Sequence, residues 1–247
     1  NGDIQIISSV ARMLELVVPL IEHPSETFLA QLEEDSMKLI LQHDRPIVAS
    51  CLSCLGSVVN NVTRNFELIR DCFKKYYDYL AQIKMWLSTD TGTDALANIK
   101  RRQYFRRALF IVGLLLRHFN FNDSEVVGEL PNNIKDLVFE LFSFFLQQDD
   151  QDIQANTLKA IGSICIRHYE FMLESDLKSF YHRMLTSDDA PLTMKSEVLI
   201  NIEMYLLDST LITAQITPTR YPTYRLSTST YGFNKDEPLA SYQVIHC

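Results

Sequence analysis

An all-α fold, a HEAT-type α-solenoid of stacked antiparallel helix pairs, is predicted by three features of this sequence. A short signature recurs. Leu52-x-x-Leu55-Gly56 returns as Leu109-x-x-Val112-Gly113 and as Leu158-x-x-Ile161-Gly162, with the glycines 57 and 49 residues apart. Recurrence at long, nearly fixed spacing marks stacked supersecondary units, and a HEAT or armadillo unit spans roughly 40–47 residues. The surplus falls in two loops. Second, no stretch before residue 208 alternates with the period of a strand, whereas apolar residues recur at helical spacing. Third, 7 Gly and 8 Pro in 247 residues argue against a turn-rich β protein, and 47% hydrophobic residues suffice for a core.

Each element follows from local pattern. Residues 4–22 carry Ile7, Val10, Leu14, Val17, Val18 and Ile21 at helical spacing, and Pro19 should loosen the last turn. His23-Pro24-Ser25-Glu26 breaks the chain and starts a second helix, with Pro in its first turn, running to about Gln42. Its inward residues are expected to be Phe28, Leu32, Met37, Leu39 and Ile40. Asp44 is placed to cap a third helix, Pro46 to Val62, with the stripe Val48, Cys51, Leu52, Leu55, Val58, Val59 and Val62. A mid-helix glycine costs about 1 kcal/mol relative to alanine. The recurrence of Gly56, Gly113 and Gly162 therefore implies close approach of neighbouring helices.

Residues 63–87 form a long helix rich in aromatics (Phe66, Phe73, Tyr76, Tyr77, Tyr79, Trp86), and the polar stretch 88–98 is a loop. In the next helix, 99–119, Phe105, Ala108, Leu109, Val112, Leu115 and Leu116 share one face, and Arg102, Arg106 and Arg117 share another. Residues 120–130 form a second loop, followed by helices over 132–147, 153–169, 174–185 and 192–207. In the last of these, Asn201-Ile202 stands where the hydrophobe and glycine would be. The repeat array thus covers residues 1–207. Residues 208–247 hold Pro218, Pro222, Pro238 and a Ser/Thr-rich run without helical period, and read as a disordered tail. An array ending there would leave an apolar face near Leu192 to Leu207 without a cap.

The net charge of −8 makes the chain as a whole a poor polyanion binder. The first residue is Asn1 and no signal peptide follows, which fits a piece of a longer protein. The longest apolar run, Ala108 to Leu116, is too short to span a bilayer. An odd count of 5 cysteines without framework spacing fits buried thiols in a reducing compartment.

No catalytic constellation is visible: there is no GxGxxG, Walker A, nucleophile elbow or HExxH. An enzyme is therefore not expected, nor a cofactor, a metal site or a small-molecule substrate. Cys51-x-x-Cys54 lacks the second pair a zinc site needs and sits inside an amphipathic helix, so both read as core. Asp149, Asp150 and Asp152 lack the glycine and terminal Glu of a calcium loop and suit helix capping. The aromatic run can in principle stack bases, but its helical spacing favours packing. The notable group is Lys100, Arg101, Arg102, Arg106, Arg107 and Arg117, which concentrates positive charge on one helix of an acidic chain. It suits DNA phosphates, which demand no base-specific geometry, an acidic protein partner, or plain solvation.

Several stretches resemble the C-terminal HEAT region of the Nipped-B family of cohesin loaders. They are Val17-Val18-Pro19-Leu20-Ile21-Glu22-His23-Pro24-Ser25-Glu26, Cys51-Leu52-Ser53-Cys54-Leu55-Gly56-Ser57-Val58-Val59-Asn60, Leu109-Phe110-Ile111-Val112-Gly113, Arg117-His118-Phe119-Asn120-Phe121 and Asn133-Ile134-Lys135-Asp136. The similarity runs in order from about residue 13 to 207. It implies a nuclear, chromatin-associated, non-catalytic scaffold that binds cohesin subunits and DNA, and helps load the cohesin ring for sister chromatid cohesion. The tail departs from the family at Thr217-Pro218-Thr219-Arg220-Tyr221-Pro222, which fits a truncated or misread gene end or a divergent isoform. The alternative is a generic HEAT scaffold of nuclear transport or phosphatase assembly.

Overall fold

The computed structural model describes residues 2–89 and 96–216, with side chains through 206. The expected tail largely falls outside the described residues. Helix α1 is Gly2–Val17, and a 3-10 turn over Val18–Leu20 follows, set off by Pro19. Helix α2 is Glu26–Gln42 and α3 is Arg45–Val58, which runs on into a π-helical turn, Val59–Thr63. Next come α4 (Phe66–Leu87), α5 (Ile99–His118), the short α6 (Ser124–Val127) and α7 (Ile134–Leu146). Helices α8 (Gln151–Cys165), α9 (Ser175–Thr186) and α10 (Leu192–Ile216) complete the array. Among the described residues there is no strand.

The helices form two layers. Helices α1, α3, α5, α8 and α10 lie side by side in one. Helices α2, α4, α7 and α9 cover them, as the hairpin partners of α3, α5, α8 and α10 respectively. Within the first layer the helices run parallel. Arg45 and Gly56 of α3 lie against Phe110 and His118 of α5. Arg106 and Gly113 of α5 meet Asp152 and Ala160 of α8, and Lys159 and Gly162 of α8 meet Glu197 and Asn201 of α10. This is the repeating hairpin geometry of an α-solenoid.

The signature glycines are the seams of that layer. A Cβ on Gly56 would lie 2.9 Å from His118 Cβ, one on Gly113 3.0 Å from the Ala160 carbonyl oxygen, and one on Gly162 2.1 Å from Asn201 Oδ1. Each glycine thus admits the next helix of the same layer. Asn201, where the signature fails, is itself a lock: its Nδ2 donates to the Leu158 carbonyl at 3.0 Å and to the Tyr181 hydroxyl at 2.9 Å. The main core runs through the array, with Phe73, Tyr76, Phe105, Phe119, Phe142 and Phe145 fully buried, and a smaller cluster of Ala11, Val18, Leu29, Cys54 and Val58 lies at its amino-terminal end. Phe105 and Phe145 meet edge to face at 5.0 Å. The stretch Arg45–Thr63 is apolar and long enough to cross a bilayer by composition. Ile47, Val48, Cys51, Leu52, Cys54, Leu55, Val58 and Val59 on it are instead buried against neighbouring helices.

Several boundaries differ from expectation. Pro24 precedes α2 rather than entering its first turn, and Ser25 is the N-cap. Phe28 is 42% exposed, while Leu29, Glu33, Ser36 and Ile40 form the buried face. Glu33 is buried because it accepts from Thr63 Oγ1 and from Asn65 Nδ2, on either side of the left-handed Arg64 (φ 57°). The second loop contains α6, whose Val126 and Val127 are buried. The third signature helix stops at Cys165, and a 3-10 turn, Tyr169–Leu173, replaces its last turn. Helix α10 continues past 207 to Ile216. Leu192, Leu199, Ile200 and Leu206 are exposed on it.

Candidate functional site: a cationic groove at the start of helix α5

Helix α5 begins with Asn98, whose side chain accepts from Lys100 N (2.9 Å) and Arg101 N (3.3 Å). Its first turn holds cations and no acid. Positive charge there opposes the helix dipole. The compensation comes from α8. Asp150 caps α8 by accepting from Asp152 N and Ile153 N, and also pairs with Arg102 at 2.8 Å. Asp152 takes Arg106 Nε at 2.8 Å and Arg102 at 3.4 Å. Burial pushes the Asp150 carboxyl up, but the Arg102 hydrogen bond and the two N–H groups hold it below its ordinary value. Asn156 extends the network: its Nδ2 donates to Asp152 Oδ1 at 3.0 Å and its Oδ1 accepts from Arg45 Nη2 at 2.8 Å. One polar chain therefore ties the amino ends of α3, α5 and α8 together.

The six basic residues of the sequence reading are thereby divided. Arg102 and Arg106 pair with Asp150 and Asp152. Arg107 donates to the carbonyls of Ile40 and His43, closing the carboxy end of α2. Arg101 lies over the Trp86 ring at 5.0 Å. Lys100 is exposed at the mouth of a groove of about 770 Å³, lined also by Arg45, Gln103, Tyr104, Arg106 and Arg107. Arg117 is exposed at the other end of α5, roughly 25 Å from Lys100 at 1.5 Å of rise per residue. It sits with Arg12 and Arg167, and Arg167 Nε donates to its carbonyl at 2.8 Å. A shared helical face thus resolves into two separate cationic spots.

Arg45 stands on α3, outside the basic run of α5 that the sequence singles out. The signal existed: Arg45 and Arg102 both stand eleven residues ahead of their signature glycines, Gly56 and Gly113. Burial first, then Arg106, lowers the Arg45 pKa. The remaining candidates are structural. Cys51 and Cys54 are each 1% exposed, and burial pushes their thiols up to about 11 and about 12. That removes thiolate reactivity near neutral pH. The aromatic run packs inward, and Tyr79 meets Tyr104 edge to face at 4.6 Å.

The division has a direct test. Arg102→Glu should lower folding stability by about 1–2 kcal/mol, and Lys100→Glu by no more than about 0.5 kcal/mol. Urea denaturation of the two variants measures the difference, and equal effects would show that the α5–α8 ion pairs carry no stability.

The fold defines a helical-repeat protein. Comparison with known proteins gives the family. The chain is 40% identical over 206 residues to a human Nipped-B-like protein, covering 83% of this chain and 7% of that protein. It is 38% identical over 209 residues to Drosophila melanogaster Nipped-B protein, again 83% of this chain and 10% of the fly protein. A solved structure, the C-terminal fragment of the cohesin loader SCC2 of Chaetomium thermophilum, superposes with a TM-score of 0.73 at 13% identity. That match covers 87% of this chain and 16% of the other, and supports the fold. No family model matches. The chain belongs to the Nipped-B family.

Proposed function

We propose that this chain is a scaffold segment of a cohesin loader, helping to load the cohesin ring onto chromatin by binding cohesin subunits and DNA without catalysis of its own. The observation that supports this reading most is the family match across 83% of the chain, together with a fold shared with a protein described as a cohesin loader. The setting of such a role is the nucleus. Stacked helices would hold several partners on one surface, which raises their effective concentration for one another. DNA would be met through phosphate contacts. The groove with Lys100 and Arg45 offers one point and the cluster with Arg117 the other.

Two measurements test the proposal. The tagged chain should retain purified cohesin subunits. Retention of transport cargo or phosphatase subunits in their place would favour the generic HEAT scaffold. The double variant Lys100→Glu/Arg117→Glu should weaken binding to a duplex and reduce the slope of log K against log salt by about 2, since each phosphate contact contributes roughly 0.9. An unchanged slope would remove DNA from the reading. Arg102 and Arg106 are poor probes here, because reversing them also breaks the α5–α8 pairing.

A further inference from the structure

On the other layer, helices α4 and α7 and the segment joining α6 to α7 enclose a groove of about 510 Å³. Its floor is apolar: Phe73, Tyr77, Leu130, Ile134 and Leu137, with the Phe73 and Tyr77 rings stacked at 5.5 Å. That volume suits a few residues of an extended ligand. The rim is acidic. Glu67, Asp71 and Asp78 stand on one face of α4, and Glu129 stands opposite. Glu67 and Asp71 are four residues apart, a like-charge spacing that destabilises a helix. None of the four forms an ion pair among the described residues.

The groove's own cations do not neutralise this rim. Arg70 also lines the groove, but its Nη1 donates to the carbonyls of Glu125 (2.9 Å) and Val126 (3.4 Å) rather than to a rim carboxylate. Lys74 lies within helical reach of Asp71 and Asp78 and pairs with neither. The field also reaches the floor: burial first, then the charges of Asp78 and Glu140, raises the Tyr77 hydroxyl.

We infer that this groove docks an extended peptide segment of a partner protein in which an aliphatic or aromatic anchor is flanked by lysines or arginines. The anchor covers the Tyr77–Leu137 floor, and the flanking cations meet Asp71, Asp78 and Glu129. Nucleic acid is disfavoured here because its phosphates would face the same carboxylates. The inference is independent of the loader reading, since it concerns the opposite layer and a cationic ligand.

Three fluorescein-labelled dodecapeptides test it by anisotropy with the intact chain. The first carries Leu and Phe anchors among lysines, the second replaces the lysines with glutamates, and the third replaces the anchors with serines. Only the first should bind. Its affinity should fall at least roughly tenfold in Asp71→Lys/Asp78→Lys/Glu129→Lys, and again at high salt. Lys100→Glu should leave it unchanged. Equal binding of the first and third peptides would reduce the groove to unspecific charge attraction and overturn the proposal. So would binding unaffected by the triple variant, or no binding at all.

Discussion

Gly113→Leu should destabilise the protein by about 3 kcal/mol or more, beyond the usual range for a surface change. A Cβ there already lies 3.0 Å from the Ala160 carbonyl oxygen and 3.1 Å from Ala160 Cα. These are backbone atoms of α8, which cannot rotate aside. Three further carbons would require α5 and α8 to move apart. Both ends of that seam are fixed, by Asp152 with Arg106 at one end and by Arg167 donating to the Arg117 carbonyl at the other. Separation therefore also loses polar contacts. Gly113→Ala should behave differently. It regains about 1 kcal/mol of helix propensity, which offsets part of the three tight contacts its Cβ makes with Ala160. Thermal unfolding gives the comparison: the leucine variant should melt roughly 6–12 °C lower, from about 2–4 °C per kcal/mol in a domain of this size, and the alanine variant within a few degrees of the parent. A leucine variant that melts with the parent would show that the seam is loose.

That seam was legible because a glycine that recurs at a cost in helix propensity needs a reason, and backbone contact supplies it. Helix order was legible for a related reason: apolar periodicity reports which side chains must leave water, wherever they go. Other features depend on what lies across the gap, and one strand of sequence does not show that. The pairing of Arg102 and Arg106 with Asp150 and Asp152 is one such feature, because α8 brings those carboxylates across from more than forty residues further along the chain. The burial of Glu33 is another, because its partners, Thr63 and Asn65, flank a left-handed residue, Arg64, that the sequence does not announce. Helix α6 is a single turn, too short for periodicity to register. The acidic groove was missed because Glu67, Asp71 and Asp78 alternate with cations along α4 and read as an ordinary exposed face. Only the packing of α7 gives them a floor.

Acid should weaken this protein well before its carboxylates titrate. His118 lies against Gly56 at the α3–α5 seam, and its carbonyl accepts from Asn60 Nδ2 at 2.9 Å. Burial, reinforced by Arg117 and Arg167, lowers its pKa from 6.5 to about 4. His168 moves in the same direction. It is fully buried, with its Nε2 hydrogen-bonded to the Phe119 carbonyl at 3.3 Å. Burial lowers its pKa, against the opposing pull of Glu170. The sign follows from proton uptake. A histidine with a depressed folded pKa stays neutral in the folded chain while the unfolded chain protonates. Its stabilising contribution is complete above 6.5 and is lost as pH falls toward 4. For His118 alone, the loss between pH 8 and pH 5 is about 2 kcal/mol. Urea denaturation at those two pH values should therefore give a markedly lower midpoint at the acid one. His118→Gln, which cannot protonate, should recover most of that difference even if it lowers stability at pH 8. If the variant and the parent lose the same stability on acidification, the seam histidine is not the acid-sensitive group.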